Sequence, residues 1–129
     1  MVSLDNRDLI RVAKETRKPM KLREDFSSGD VGCAILSGSG IVYTGICIDL
    51  ACGLGFCAEV SAIADMLKNG ETRIIKLAVA FPEDRIGVPC GRCREMMIQI
   101  DKENMDTKII LGEDKEITLK ELLPLHWLD

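Results

Sequence analysis

The chain has 129 residues, 47% of them apolar and 4% aromatic, enough for one domain over 1–129 with an aliphatic core and too few for two. Its net charge of −4 argues against a dedicated nucleic-acid binder, and no apolar run approaches the length of a membrane span. No apolar leader opens it, so it reads as a soluble, cytoplasmic protein whose six cysteines stay reduced and serve metal, catalysis or burial rather than a disulfide framework.

Asn6 to Lys18 predicts a helix, with Leu9, Ile10, Val12 and Ala13 on one face and Pro19 as its stop. Arg7, Arg11, Lys14, Arg17, Lys18, Lys21 and Arg23 cluster here against Asp8 and Glu15. A solvated helix face accounts for them, with anion steering as the alternative. Residues 20–30 are polar and predict a loop. Val31 to Ser37 and Ile41 to Asp49 are β-branched and apolar, and the Ser-Gly-Ser-Gly between them makes a hairpin. Residues 50–56 read as a glycine-bearing loop. Cys57 to Asn69 predicts a helix ended by Gly70, and Ile74 to Phe81 a buried strand. Pro82 to Pro89 reads as loop. Cys90 to Lys102 follows as a helix with Pro89 at its start, and Thr107 to Leu111 as a short strand. Thr118 and Glu121 fit a capping box on a last short helix that Pro124 closes. The order α-β-β-α-β-α-β-α predicts an α/β fold: one sheet between helices, opened by an antiparallel hairpin and continued by βαβ units.

Three cysteines stand at predicted helix starts. Cys90 and Cys93, three residues apart, share one face and can reach one ion; Cys57 opens the other helix. The positive end of a helix dipole favours the thiolate that zinc needs. Three protein ligands leave a fourth position open, the arrangement of a catalytic zinc, and Glu59 is placed to take a proton from a water there. A redox Cys-x-x-Cys and a four-cysteine structural zinc using Cys52 are the alternatives. Cys33 and Cys47 read as buried small hydrophobes. Three thiolates and Zn²⁺ sum to −1, which a cation would relieve; Arg92 and Arg94 are the candidates, with a solvent-facing role as the alternative for each.

Cys57-Ala58-Glu59 together with Pro89-Cys90-Gly-Arg92-Cys93-Arg94-Glu resembles the paired motif of the cytidine deaminase superfamily. The likeness extends from the hairpin beginning at Val31 to Pro124. The resemblance implies a three-layer α/β/α sandwich binding one zinc per subunit through Cys57, Cys90 and Cys93. Glu59 would shuttle protons and the Ala58 N–H would help hold the ring. Water would attack C4 of a free cytidine or deoxycytidine, with loss of ammonia. It also implies a homotetramer serving pyrimidine salvage, with a small nucleoside substrate and no nucleic-acid or membrane partner.

Three positions depart from the cytidine deaminase pattern. Where the family has Asn-x-Glu to grip ribose, this chain has Cys47-Ile48-Asp49. Gly29 stands at an aromatic position, with Phe26 nearby but displaced. Val60 replaces an arginine after the catalytic glutamate. The last, with Arg92 between the cysteines, also fits blasticidin S deaminases of the same superfamily, which act on an aminonucleoside antibiotic. Trp127 could close a pocket over a base, its own or a neighbour's, or anchor an interface; His126 reads as an exposed tail residue. A zinc-stabilised binding module without turnover is the reading from another class.

Overall fold

A computed structural model describes residues 4–128; the outermost residues of the expected 1–129 domain lie outside that range. Seven strands form one mixed sheet: β1 (Met20–Arg23), β2 (Phe26–Ser37), β3 (Val42–Leu50), β4 (Ile74–Phe81), β5 (Arg85–Gly87), β6 (Lys108–Gly112) and β7 (Lys115–Thr118). Four helices accompany them: α1 (Asn6–Thr16), α2 (Ala58–Lys68), α3 (Gly91–Ile100) and α4 (Leu119–Leu122). β3 lies beside β2, then β4, β6 and β7. All neighbours along this row are antiparallel except β4 and β6, which are parallel. The crossovers through α2 and α3 place both helices on one face of the sheet.

The two-residue period of the strands assigns the layers. Cys33, Ile35, Leu77, Val79 and Ile109 point to the side that packs Ala62, Ile63, Met66, Met97 and Ile98 of α2 and α3. Ala34, Ala78, Ala80 and Ile110 point to the other side, where Leu9 and Ala13 of α1 cover them. The expected three-layer α/β/α sandwich with its N-terminal hairpin is therefore present. Small alanines on the α1 side let that single helix lie close to the sheet.

The strand count exceeds the sequence reading. Residues 20–30, expected as loop, carry β1 and the first part of β2; the segment 82–89 carries β5; and β7 was not foreseen. β1 is exposed along its whole length, and β5 and β7 have no fully buried residue, so none shows an apolar signature. α1 ends at Thr16 rather than Lys18 and α3 at Ile100 rather than Lys102, where a 3₁₀ turn over Lys102–Asp106 takes over. The capping box on α4 forms as read: Thr118 Oγ1 accepts from Glu121 N at 3.2 Å and Glu121 Oε1 accepts from Thr118 N at 3.3 Å.

One close approach positions the site. A Cβ on Gly45 of β3 would collide with the Ala62 amide and lie 2.6 Å from the Ala58 carbonyl, so the backbone of α2 rests directly on the strand. The first turn of α2 is thereby fixed against the sheet.

Candidate metal centre and cavity

The N-termini of α2 and α3 meet at one end of the sheet. Cys57 is the N-cap of α2 and Cys90 the N-cap of α3, so each helix begins one residue later than the start read from sequence; Cys93 lies in the first turn of α3. The chain reaches Cys57 pinned to β3, because Phe56 and Ile48 exchange backbone hydrogen bonds of 2.9 and 3.0 Å. The Cys57 and Cys90 sulfurs are 3.4 Å apart and those of Cys90 and Cys93 3.5 Å apart, and all three lie within 4.8 Å of one another. Tetrahedral ligands at the usual zinc–sulfur length of ~2.3 Å stand ~3.8 Å apart, so the trio fits one zinc with little adjustment. Cys52 is exposed, with φ +61° in a 3₁₀ turn, and lies outside the cluster, which argues against the four-cysteine alternative.

Electrostatics separate the three thiols. Burial raises Cys57 to about 11, helped by the neighbouring Cys90. Burial and then the Glu59 charge push Cys93 up further still. Cys90 is lowered: burial opposes ionisation, but the Cys93 backbone N–H and the thiols of Cys57 and Cys93 outweigh it. A divalent cation among them favours all three thiolates and releases their protons.

Glu59 is 3% exposed and lines the same cavity as Cys57 and Cys90, with Cys93 buried behind them. Burial raises its carboxyl above the ordinary range, against lowering by its own backbone N–H, the Cys93 thiol and the Cys90 backbone. The cavity measures about 800 Å³. Its helix-end wall is formed by Cys57, Ala58, Glu59, Cys90, Arg92 and Arg94. Its strand wall carries Asp30, Val31, Cys47 and Asp49, and Phe56, Phe81, Val88 and Pro89 supply apolar lining. Ala58 is fully buried and heads α2, where the first amides have no intrahelical partner.

Arg94 donates from Nε to the Pro89 carbonyl at 2.8 Å and from a terminal nitrogen to the Leu122 carbonyl at 3.2 Å, tying the cysteine loop to α4. Arg92 is exposed at the rim. Trp127 does not line the cavity: it is 77% exposed, and its backbone N–H donates to Glu95 on α3 at 2.8 Å. His126 is half-buried rather than exposed and is likewise absent from the lining. Cys33 is buried as expected, beneath Glu59, whose charge adds to burial in raising its thiol. Cys47 is buried too, but it also lines the cavity. Sequence reasoning missed Asp30, Phe56, Phe81 and Val88, which flank the motifs without belonging to them.

Residues 5–108 match the family described as the cytidine and deoxycytidylate deaminase zinc-binding region. A cytidine deaminase of Halalkalibacterium halodurans is 34% identical over 126 residues, covering 94% of this chain and 92% of that protein. A blasticidin-S deaminase of Bacillus cereus is 27% identical over 134 residues, covering 97% and 95%. Among solved structures, the cytidine deaminase of Mycobacterium tuberculosis superposes with a TM-score of 0.80 at 25% identity, covering 97% of this chain and 98% of that one. That of Burkholderia pseudomallei gives 0.75 at 28%, covering 96% and 100%.

Proposed function

The chain belongs to the cytidine and deoxycytidylate deaminase family of zinc-dependent hydrolases, and on that premise we propose that it converts a free cytidine-like nucleoside to its uridine form with release of ammonia. The observation that carries this reading is a cluster of three sulfurs, two of which, Cys57 and Cys90, line one cavity together with a buried carboxyl. Cys57, Cys90 and Cys93 would hold the zinc, which would supply Lewis-acid activation of a water molecule.

Glu59 moves the protons. Its carboxylate takes one from the attacking water, gives it to the ring nitrogen beside C4, and carries the remaining proton of the new C4 hydroxyl to the amine, so that a carbonyl forms as the C4–N bond breaks and ammonia leaves. Burial serves this work, because a carboxyl raised above its ordinary range takes up a proton more readily than an exposed one. The Ala58 N–H donates to the base, and the apolar lining from Phe56, Phe81 and Val88 keeps bulk water away. Cys47 and Asp49 face the sugar side. Arg92 and Arg94 offset the charge of the thiolates, Arg94 held in position by its bond to the Pro89 carbonyl.

A second reading has its own support. Val60 after Glu59, Arg92 between the cysteines and the B. cereus relative favour an aminonucleoside antibiotic of the blasticidin S type. Incubation with cytidine, deoxycytidine and blasticidin S, with ammonia measured, decides between them. Glu59→Gln should keep zinc and lower turnover by about 10²–10⁴-fold; loss of zinc from this variant would overturn the role given to Glu59.

The assembly that fits is a homotetramer acting in cytoplasmic pyrimidine salvage. Leu54, Leu125 and Trp127 are 71%, 88% and 77% exposed, apolar surface suited to burial between subunits, and Trp127 would then serve a neighbour's cavity. Light scattering that returns a monomer at micromolar concentration would remove this part of the proposal.

A further inference from the structure

The strand wall of the cavity is built around an irregularity. Ser28 pairs with Ile48 and Gly32 with Ile46, so residues 29–31 of β2 stand opposite Cys47 alone. Gly29 makes the bulge possible with φ +79°, and any side chain there would collide with the Lys18 carbonyl. The end of α1 clamps it: Lys18 N donates to the Gly29 carbonyl at 3.0 Å and Arg17 Nε to the Asp30 carbonyl at 2.6 Å. Val31 N, turned away from the ladder, finds the Cys47 sulfur at 3.3 Å. Cys47 in turn lies 3.6 Å from Asp49 Oδ2, with its thiol proton available to that carboxylate. One buried sulfur thus satisfies the bulge and orients an acid.

The result is two carboxylates, Asp30 and Asp49, on the wall across from the helix ends. Among the described residues neither forms an ion pair. The cavity's cations, Arg92 and Arg94, belong to the helix-end wall, and the Arg94 guanidinium is engaged by two carbonyls. Arg92 and Arg94 thus share their wall with Glu59 and the sulfurs, whereas the acids that the strands add to the cavity have no cation among the strand residues lining it.

We infer that Asp30 and Asp49, aligned by the bulge and Cys47, are specificity-determining residues that make this site favour cytosine nucleosides carrying a cationic substituent on the sugar and reject those carrying a phosphate. The inference rests on the deaminase reading above, with the base at the sulfur cluster and the sugar toward the strands. Cys47 is a positioning residue, acting through Asp49 and the bulge. Burial, with the charge of Asp49 adding to it, raises the Cys47 thiol and keeps it a donor.

The test compares kcat/KM of the zinc-loaded enzyme for 5′-amino-5′-deoxycytidine, cytidine and cytidine 5′-monophosphate. Expected is a preference of about fivefold or more at each step in that order, shrinking as salt is raised. Asp30→Asn and Asp49→Asn should each reduce the amino-to-neutral ratio while leaving turnover of cytidine measurable. Cys47→Ser, which keeps a donor, should retain the preference that Cys47→Val loses. Equal use of the amino and neutral nucleosides, or a ratio unmoved by both Asp variants, overturns the inference while the deaminase reading stands. Absence of turnover with all three at full zinc occupancy overturns the deaminase reading instead. Calorimetric binding of the same three compounds then decides the charge preference separately, equal affinities overturning it and the stated order supporting it.

Discussion

At the scale of single residues the site divides into groups that need the metal and groups that need only the fold. Cys57→Ser and Cys93→Ala should each weaken zinc by at least ~100-fold, since loss of a ligand exceeds the 10–100-fold cost of losing a ligand's supporting partner. Cys52→Ser should leave one zinc per chain; titration with a chromogenic chelator reads both outcomes. Glu71 belongs to the second group. Its carboxylate accepts from Tyr43 Oη at 2.7 Å, Ser37 Oγ at 2.9 Å and Ser39 N at 3.1 Å, joining the segment after α2 to the β2–β3 hairpin. These donors, Tyr43 first, hold Glu71 below its ordinary 4.5, and the same bond with burial lifts Tyr43 from 10.0 to about 12. A depressed acid stabilises the fold above its ordinary value and loses that contribution as pH falls through the lowered one. A raised phenol stabilises below 10.0 and loses its contribution as pH rises toward about 12. Urea unfolding should show wild type losing more stability than Glu71→Gln between about pH 7 and pH 3, and Tyr43→Phe flattening the alkaline limb.

Among the elements, the ones that carry the site were also the most legible. The run Ile74 to Phe81 announced β4, and a thiol, a small residue and an acid before an apolar face announced α2. The helix starts were read one residue early because a cysteine at the N-cap looks, in sequence, like the first helical residue. The bulge was invisible for a different reason. Gly29 and Asp30 read as loop, and only the pairing of Ser28 and Gly32 with β3 on either side carries them into the strand. Contributors such as Phe56, Phe81 and Val88 could not be found from the motifs, since apolar residues next to a strand end are equally good core. The contact of α2 with Gly45 yields a prediction at this scale. Gly45→Ala forces the first turn of α2 outward, and should destabilise by about 1–3 kcal/mol and weaken zinc in the same variant. The β4–β5 turn carries Glu83 and Asp84 at φ +66° and +59°, a left-handed region that Asn and Gly enter at lower cost. Replacing the pair by Asn-Gly should raise stability by roughly 1 kcal/mol with kcat/KM unchanged, read by thermal melts and assay together.

For the molecule as a whole, zinc joins two segments that lie on either side of β4, the strand at the centre of the sheet. Any ligand that binds only the folded chain stabilises it in proportion to the logarithm of its free concentration over Kd. Melting should therefore shift downward by several degrees on chelation and recover on adding zinc, with Cys93→Ala insensitive to both. A more particular consequence follows from the spacing of the sulfurs. A strand advances by ~3.3 Å per residue, almost the 3.4 Å that separates Cys57 from Cys90. Were β4 to pair with β2 one residue out of step, its side chains would exchange faces and the start of α3 would no longer be held against Cys57. Zinc content per folded chain should therefore report the alignment of the central strands, with full occupancy expected only where the native pairing has formed.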